Sequence, residues 1–157
     1  AVTLAADLRN SAVTAWDISG DALLIARENI HQYQVRVELK MEDALHPSAA
    51  AMQQQFDIIV SNPPYICDKE RTEMEGNVLA YEPETALFVP DDDPLRFYRA
   101  IAEYSVQALS ADGVLYFETN PLYVNDVKEM LNALGYKRVE LREDQFGKLR
   151  FTKAIRP

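Results

Sequence analysis

The stretch Asp57-Ile58-Ile59-Val60-Ser61-Asn62-Pro63-Pro64-Tyr65 constrains this chain more than any other. Its apolar first half shows no alternation, which reads as a parallel strand covered on both faces. The run stops abruptly at Asn-Pro-Pro-Tyr. In open α/β sheets, ligands bind outside the C-terminal ends of the strands. The tetrapeptide therefore sets an amide, a carbonyl held by two prolines and an aromatic face where such a sheet places its ligand.

The flanking sequence supplies the rest of that sheet. Residues 1–8 continue a helical pattern, and Val13-Thr14-Ala15-Trp16-Asp17 is a short strand ending in a carboxylate. Ser19 can cap a helix through about Ile30, with Leu23, Ala26 and Ile30 on one face. Val35-Arg36-Val37-Glu38-Leu39 alternates like a strand, with Asp43 just beyond it. Residues 48–55 suggest a short helix. From Ile66 to about Pro90 charges, Gly76 and Pro83 break any period, so a long functional loop is expected.

Asp93-Pro94 marks a helix start, with proline at the first helical position. Leu95, Tyr98, Ile101, Ser105 and Ala108 then recur at helical spacing, and Gly113 opens a strand over residues 114–118. A helix over about 124–134 ends at Gly135, a C′ residue. Residues 136–155 read as two strands turning near Gln145-Phe146-Gly147, an antiparallel edge hairpin. Alternating β and α elements imply a mostly parallel sheet with helices on both faces.

Composition narrows the partners. At 157 residues the length suits one domain with a sizeable core. Sixteen basic against 25 acidic residues give a net charge of −9, which offers nucleic acid no general attraction. The single cysteine, Cys67, excludes an internal disulfide framework and fits a reducing cytoplasm. No apolar run approaches the ~20 residues that span a bilayer.

Asp17 ends the second strand of a nucleotide-binding pattern, where a carboxylate accepts from ribose hydroxyls; it is equally placed to cap the following helix. The glycine-rich turn that accompanies such an acid lies ~20 residues earlier. Counting back from Asp17 leads past Ala1. That turn and a first central strand are therefore expected upstream, and the chain reads as an N-terminally truncated catalytic domain. Asp43, followed by Ala44, would meet an adenine amine with an apolar neighbour over the ring. Glu42 competes for that role, and a solvated loop acid is the plainer alternative.

Asn62 through Tyr65 suit one chemical task. An amide nitrogen is a poor nucleophile because its lone pair is delocalised. Two acceptors on its two N–H bonds, Asn62 Oδ1 and the Pro63 carbonyl, weaken that conjugation and aim the lone pair. Proline fixes φ and restricts the residue before it, so the pose is preorganised. Tyr65 would pack on the planar group and exclude water. A plain turn is the alternative, since Asn-Pro commonly starts one. His31 and His46 lack metal-ligand spacing, Cys67 has no histidine partner for thiol chemistry, and Trp16 reads as packing. Asp91-Asp92-Asp93 reads as a solvated helix start.

The Asn-Pro-Pro-Tyr motif resembles that of amino-methyltransferases acting on adenine or on glutamine. Tyr81-Glu82-Pro83-Glu84-Thr85-Ala86-Leu87-Phe88 resembles a loop of the HemK/PrmC family, the glutamine methyltransferases of peptide chain release factors. Glu118-Thr119-Asn120-Pro121-Leu122-Tyr123 and the Phe146-Gly147-Lys148 turn resemble the same family, in the same order.

The resemblance implies a Rossmann-like S-adenosylmethionine-dependent methyltransferase fold with a C-terminal antiparallel hairpin. It implies methyl transfer to the glutamine of a release factor's Gly-Gly-Gln motif, leaving S-adenosylhomocysteine. It carries cofactor binding onto Asp17 with Ile18, Asp43 with Ala44, and Asn62. Substrate binding falls on Asn62, Pro63, Pro64 and Tyr65, with Glu82 and Pro83 shaping the substrate loop. Two alternatives stay open: glutamine methylation of a ribosomal protein, and adenine-N6 methylation of DNA or RNA. The acidic charge opposes the second.

Overall fold

The computed structural model describes residues 1–8, 10–73 and 83–157. Its contacts divide it into two compact units, Ala1–Ala51 and Met52–Pro157.

In the first unit, helix α1 (Val2–Asp7) precedes strand β1 (Val13–Asp17), helix α2 (Gly20–Gln32) and strand β2 (Val37–Met41). The strands pair in parallel, from Val13 opposite Val37 to Asp17 opposite Met41. Ser19 caps α2 as expected, its Oγ accepting from the Ala22 N–H at 3.2 Å. Leu23, Ala26 and Ile30 are half-buried while Leu24 and Ile25 face solvent, so the amphipathic reading stands.

The second strand starts two residues later than its alternation suggested. The end of α2 explains the shift. Gln34 sits in the left-handed region at φ 52°. Its N–H donates to the His31 carbonyl, and the Val35 N–H donates to the Ile30 carbonyl, both at 3.2 Å. This closing turn satisfies carbonyls that a helix end leaves open. Val35 and Arg36 are consumed by it before pairing can begin.

The second unit holds a four-stranded sheet in the order β3-β6-β8-β7. Strand β3 (Phe56–Ser61) lies parallel to β6 (Leu109–Glu118). Strand β8 (Leu149–Ile155) runs antiparallel to both β6 and β7 (Lys137–Glu143), which is the expected closing hairpin. Helices α4 (Arg96–Ala108) and α5 (Val124–Ala133) pack on one face, over Leu115, Phe117, Thr152 and Ala154, each at most 2% exposed. Tyr98 of α4 meets Phe117 edge to face at 5.2 Å.

Gly135 ends α5 as anticipated, at φ 87°, with Tyr136 N–H bonding the Leu131 carbonyl at 3.0 Å.

Several expectations are corrected. Strand β3 is not covered on both faces, because Ile58 is 51% and Val60 55% exposed. Both lie opposite the face that α4 and α5 cover. The segment after Tyr65 is not all loop. It contains strand β4 (Ile66–Cys67), a 3₁₀ turn (Asp68–Glu73), helix α3 (Glu84–Leu87) and strand β5 (Phe88–Val89), with β4 and β5 parallel. Residues 48–55 yield only a 3₁₀ turn at Ala51–Gln53.

Helix α4 begins at Arg96 rather than Pro94. Asp93 and Pro94 are held in a preceding turn, and the Asp93 carboxylate instead pairs with Arg99 at 3.1 Å. Strand β6 starts at Leu109, four residues before Gly113, with a register break that takes up residues 110–113. Gly113 belongs there because a Cβ would lie 2.8 Å from the Ser110 carbonyl oxygen.

Candidate active site

Asn62 follows the last residue of β3 and is exposed, and its side-chain amide has no hydrogen-bond partner among the described residues. Pro63 behind it is buried, while Pro64 and Tyr65 are half-buried. Burial of the first proline and the fixed φ of both leave the Asn62 amide on a stiff base.

Tyr65 is held at both ends by the C-terminal end of β6. Its hydroxyl donates to Glu118 Oε1 at 2.9 Å, and its carbonyl accepts from Asn120 Nδ2 at 3.1 Å. Arg150 on β8 donates to the Tyr65 hydroxyl at 3.3 Å and stands 3.7 Å from Glu118. Arg150 Nε in turn pairs with Asp144 at 3.3 Å. Asp144 accepts the backbone N–H groups of Phe146 at 2.8 Å and Lys148 at 3.0 Å, so the β7–β8 turn orients the whole series.

Asn120 is buried and fully engaged. Its Nδ2 also reaches the Glu70 carboxylate at 3.1 Å, its Oδ1 accepts from the Leu122 N–H, and its own N–H donates to the Tyr98 hydroxyl. The Tyr98 hydroxyl donates to the Glu118 carbonyl at 3.2 Å. Glu70 additionally accepts the Cys67 N–H at 2.9 Å.

These surroundings fix protonation. Burial, then the bond to Glu118, pushes the Tyr65 hydroxyl up to about 12. Burial likewise raises Tyr98. Backbone donors from Lys148 and Phe146 together with Arg150 hold the Asp144 carboxyl below its ordinary value. Beside this network an open groove of about 840 Å³ runs between Glu118, Arg150 and the rings of Phe146 and Phe151.

The residues expected to meet a cofactor lie in the first unit. Asp17 is exposed at the end of β1, with Oδ1 accepting the Ser19 N–H at 2.8 Å. It thus supports the start of α2 while its other oxygen has no partner among the described residues. Asp43 does the same, accepting the Leu45 N–H at 2.8 Å.

The competitor Glu42 is taken: Ser48 donates to its two oxygens at 2.7 and 3.0 Å, which also lowers its pKa. Ile18 is 63% exposed and Ala44 half-buried. Asp17 and Asp43 thus stand at the same end of the parallel pair β1–β2. Pro83 is the exposed N-cap residue of α3; Glu82 lies outside the described residues.

Cys67 is buried, with Sγ 3.3 Å from the Tyr123 hydroxyl, and burial raises its pKa. Among the described residues no group of three potential metal ligands forms. No helix among them is long and apolar enough to cross a membrane.

Sequence reasoning found the Asn62–Tyr65 cluster but assigned no role to Glu118, Asn120 or Arg150. One signal was available: Glu118 closes a parallel strand beside β3, so the rule that drew attention to Asn62 applies to it as well.

Comparison with known proteins gives the family of the chain. Over 157 residues the chain is 48% identical to the release factor glutamine methyltransferase of Bacteroides thetaiotaomicron, covering 99% of this chain and 56% of that protein. It is 40% identical to the release factor glutamine methyltransferase of Flavobacterium psychrophilum, over 98% of this chain and 53% of that one. The chain thus spans about half the length of the curated relatives it matches.

Among solved structures, a methyltransferase from Pyrococcus furiosus aligns with 98% of this chain and 66% of its own, at TM-score 0.68 and 21% identity. TrmN from Thermus thermophilus aligns with 99% of this chain and 40% of its own, at TM-score 0.64 and 17% identity. These likenesses establish the Rossmann-like α/β fold of S-adenosylmethionine-dependent methyltransferases. The methyltransferase small domain family model matches residues 1–86, from α1 through the Asn-Pro-Pro-Tyr cluster. With that match over more than half its length, the chain belongs to the methyltransferase small domain family.

Proposed function

We propose that this chain is the catalytic domain of a protein-(glutamine-N5) methyltransferase whose acceptor is the Gly-Gly-Gln glutamine of class 1 peptide chain release factors. One observation carries the reading. The Asn62 amide stands exposed, with no hydrogen-bond partner among the described residues, on a proline-stiffened strand end next to a tyrosine pinned at both ends. The names of the relatives at 48% and 40% identity support the choice of acceptor. The free Cys67 thiol suits a reducing cytoplasm.

The residues present fit the cofactor that such a transfer needs. Asp17 and Asp43 each commit one carboxylate oxygen to a local turn and keep one for a ligand. Two acceptors of this kind suit the hydroxyl and amine donors of a nucleoside. Asp17 with Ile18 would hold the ribose of S-adenosylmethionine, and Asp43 with Ala44 the adenine. When bound, S-adenosylmethionine supplies an electrophilic methyl group and leaves as S-adenosylhomocysteine.

The chain's own residues act on the acceptor. Asn62 Oδ1 and the Pro63 carbonyl accept the two N–H bonds of the glutamine amide, turning its lone pair out of conjugation. The Tyr65 ring covers the planar group and excludes water, with Glu82 and Pro83 shaping the loop that admits the substrate. The methylated nitrogen is acidic enough to release its proton without a strong base. Catalysis is then chiefly positioning.

The test supplies the intact protein with methyl-labelled S-adenosylmethionine and, separately, a release factor, ribosomal proteins and duplex DNA. Label on a release-factor glutamine, located by peptide mass spectrometry, is the expected result. Label confined to ribosomal protein or to DNA would overturn the reading.

A further inference from the structure

The structure assigns Glu118 and Asn120 as positioning residues that clamp Tyr65 from its two ends. This inference rests on the reading of Tyr65 as the aromatic wall of the acceptor site. Glu118 Oε1 accepts from the hydroxyl at 2.9 Å, and Asn120 Nδ2 donates to the carbonyl of the same residue at 3.1 Å. Glu118 is the last residue of β6 and Asn120 lies two residues beyond it, so one strand end and its exit fix side chain and backbone together.

The two ends are buttressed differently. At the hydroxyl, Glu118 is balanced by Arg150, and Arg150 by Asp144 of the hairpin turn. At the carbonyl, Asn120 has every polar group occupied, by Glu70, Leu122 and Tyr98. A carboxylate can only accept, so Glu118 forces the Tyr65 hydroxyl to point its proton away from the acceptor site. Arg150 donates to the same oxygen. The hydroxyl therefore donates once and accepts once inside the protein. Tyr65 meets the acceptor amide with its ring face, and its hydroxyl takes no proton from the substrate.

Removing Glu118 frees the ring to rotate without touching any group that contacts substrate. Misplacement on the scale of an ångström costs about 10²-fold in rate, and the loss should fall on kcat rather than on KM for the methyl donor. Glu118→Gln keeps an acceptor at the same place and should recover most of the activity lost in Glu118→Ala.

The decisive experiment crosses both with Tyr65→Phe in the intact protein. If Glu118 acts through the hydroxyl, Glu118→Ala costs nothing further in a Tyr65→Phe background. Undiminished, additive loss would overturn the clamp. A second readout needs no substrate. The tyrosinate titration of Tyr65, isolated as the difference from Tyr65→Phe, should move down in Glu118→Ala and Glu118→Gln. An unmoved titration refutes the clamp even if Glu118→Ala does not fold, because Glu118→Gln suffices for the measurement. Should the wild-type protein methylate no glutamine, the functional reading fails, while the titration still decides the clamp.

Discussion

Tyr98 shows how much depends on single polar atoms in this chain. Its side chain is fully buried, yet its hydroxyl donates to the Glu118 carbonyl and accepts from the Asn120 N–H. Tyr98→Phe keeps the packing on Phe117 and removes one hydrogen bond each from the Glu118 carbonyl and the Asn120 N–H. It should cost about 1–3 kcal/mol, measured by denaturant unfolding. A change below about 0.5 kcal/mol would mean that neither bond matters. The site was only partly legible at this scale. Asn62 through Tyr65 are contiguous, so the strand rule exposes them together. Glu118, Asn120 and Arg150 stand 53, 55 and 85 residues from Tyr65. No local period encodes such pairs; only the sheet order brings them together. Glu42 and Asp43 are adjacent in sequence, and only the fold brings Ser48 onto Glu42.

Elements were legible where a local signal marks their ends. Gly135 closes α5 because only a left-handed residue completes that turn, and Ser19 opens α2 with its own hydroxyl. Gln34 gave no such warning, since a glutamine rarely occupies the left-handed region; β2 shifted accordingly. Asp93-Pro94 carried a good start signal, but Arg99 drew the aspartate into an ion pair and the helix began later.

The β7–β8 turn makes its own prediction. Asp144 holds Phe146, Lys148 and Arg150, and these donors depress its pKa below the ordinary 3.8. A depressed carboxyl contributes stability that is present above the unfolded pKa and is lost as pH falls through the folded one. Thermal midpoints should therefore drop below about pH 4, more steeply in the wild type than in Asp144→Asn. Parallel curves for the two proteins would remove this role from Asp144.

Across the whole molecule, the alternating order of strands and helices identified the α/β class, and the closing hairpin completed it. Coverage of β3 could not be read from its residues, because an apolar run specifies a preference for burial and not the element that supplies it. The net charge of −9 opposes a nucleic-acid acceptor, in keeping with the proposed protein amide. Under the proposed function, the cofactor's nucleoside falls to Asp17 and Asp43, and the acceptor amide to Asn62 and Pro63. Asn62→Ala should therefore separate chemistry from cofactor affinity. The most direct test measures both in the intact protein: methyl transfer to a release factor by single-turnover labelling, and S-adenosylmethionine binding by calorimetry. The expected result is a loss of transfer of about 10²-fold or more, with cofactor affinity nearly unchanged. Undiminished turnover, or an equal loss in cofactor affinity, would contradict the two-acceptor grip on the glutamine amide.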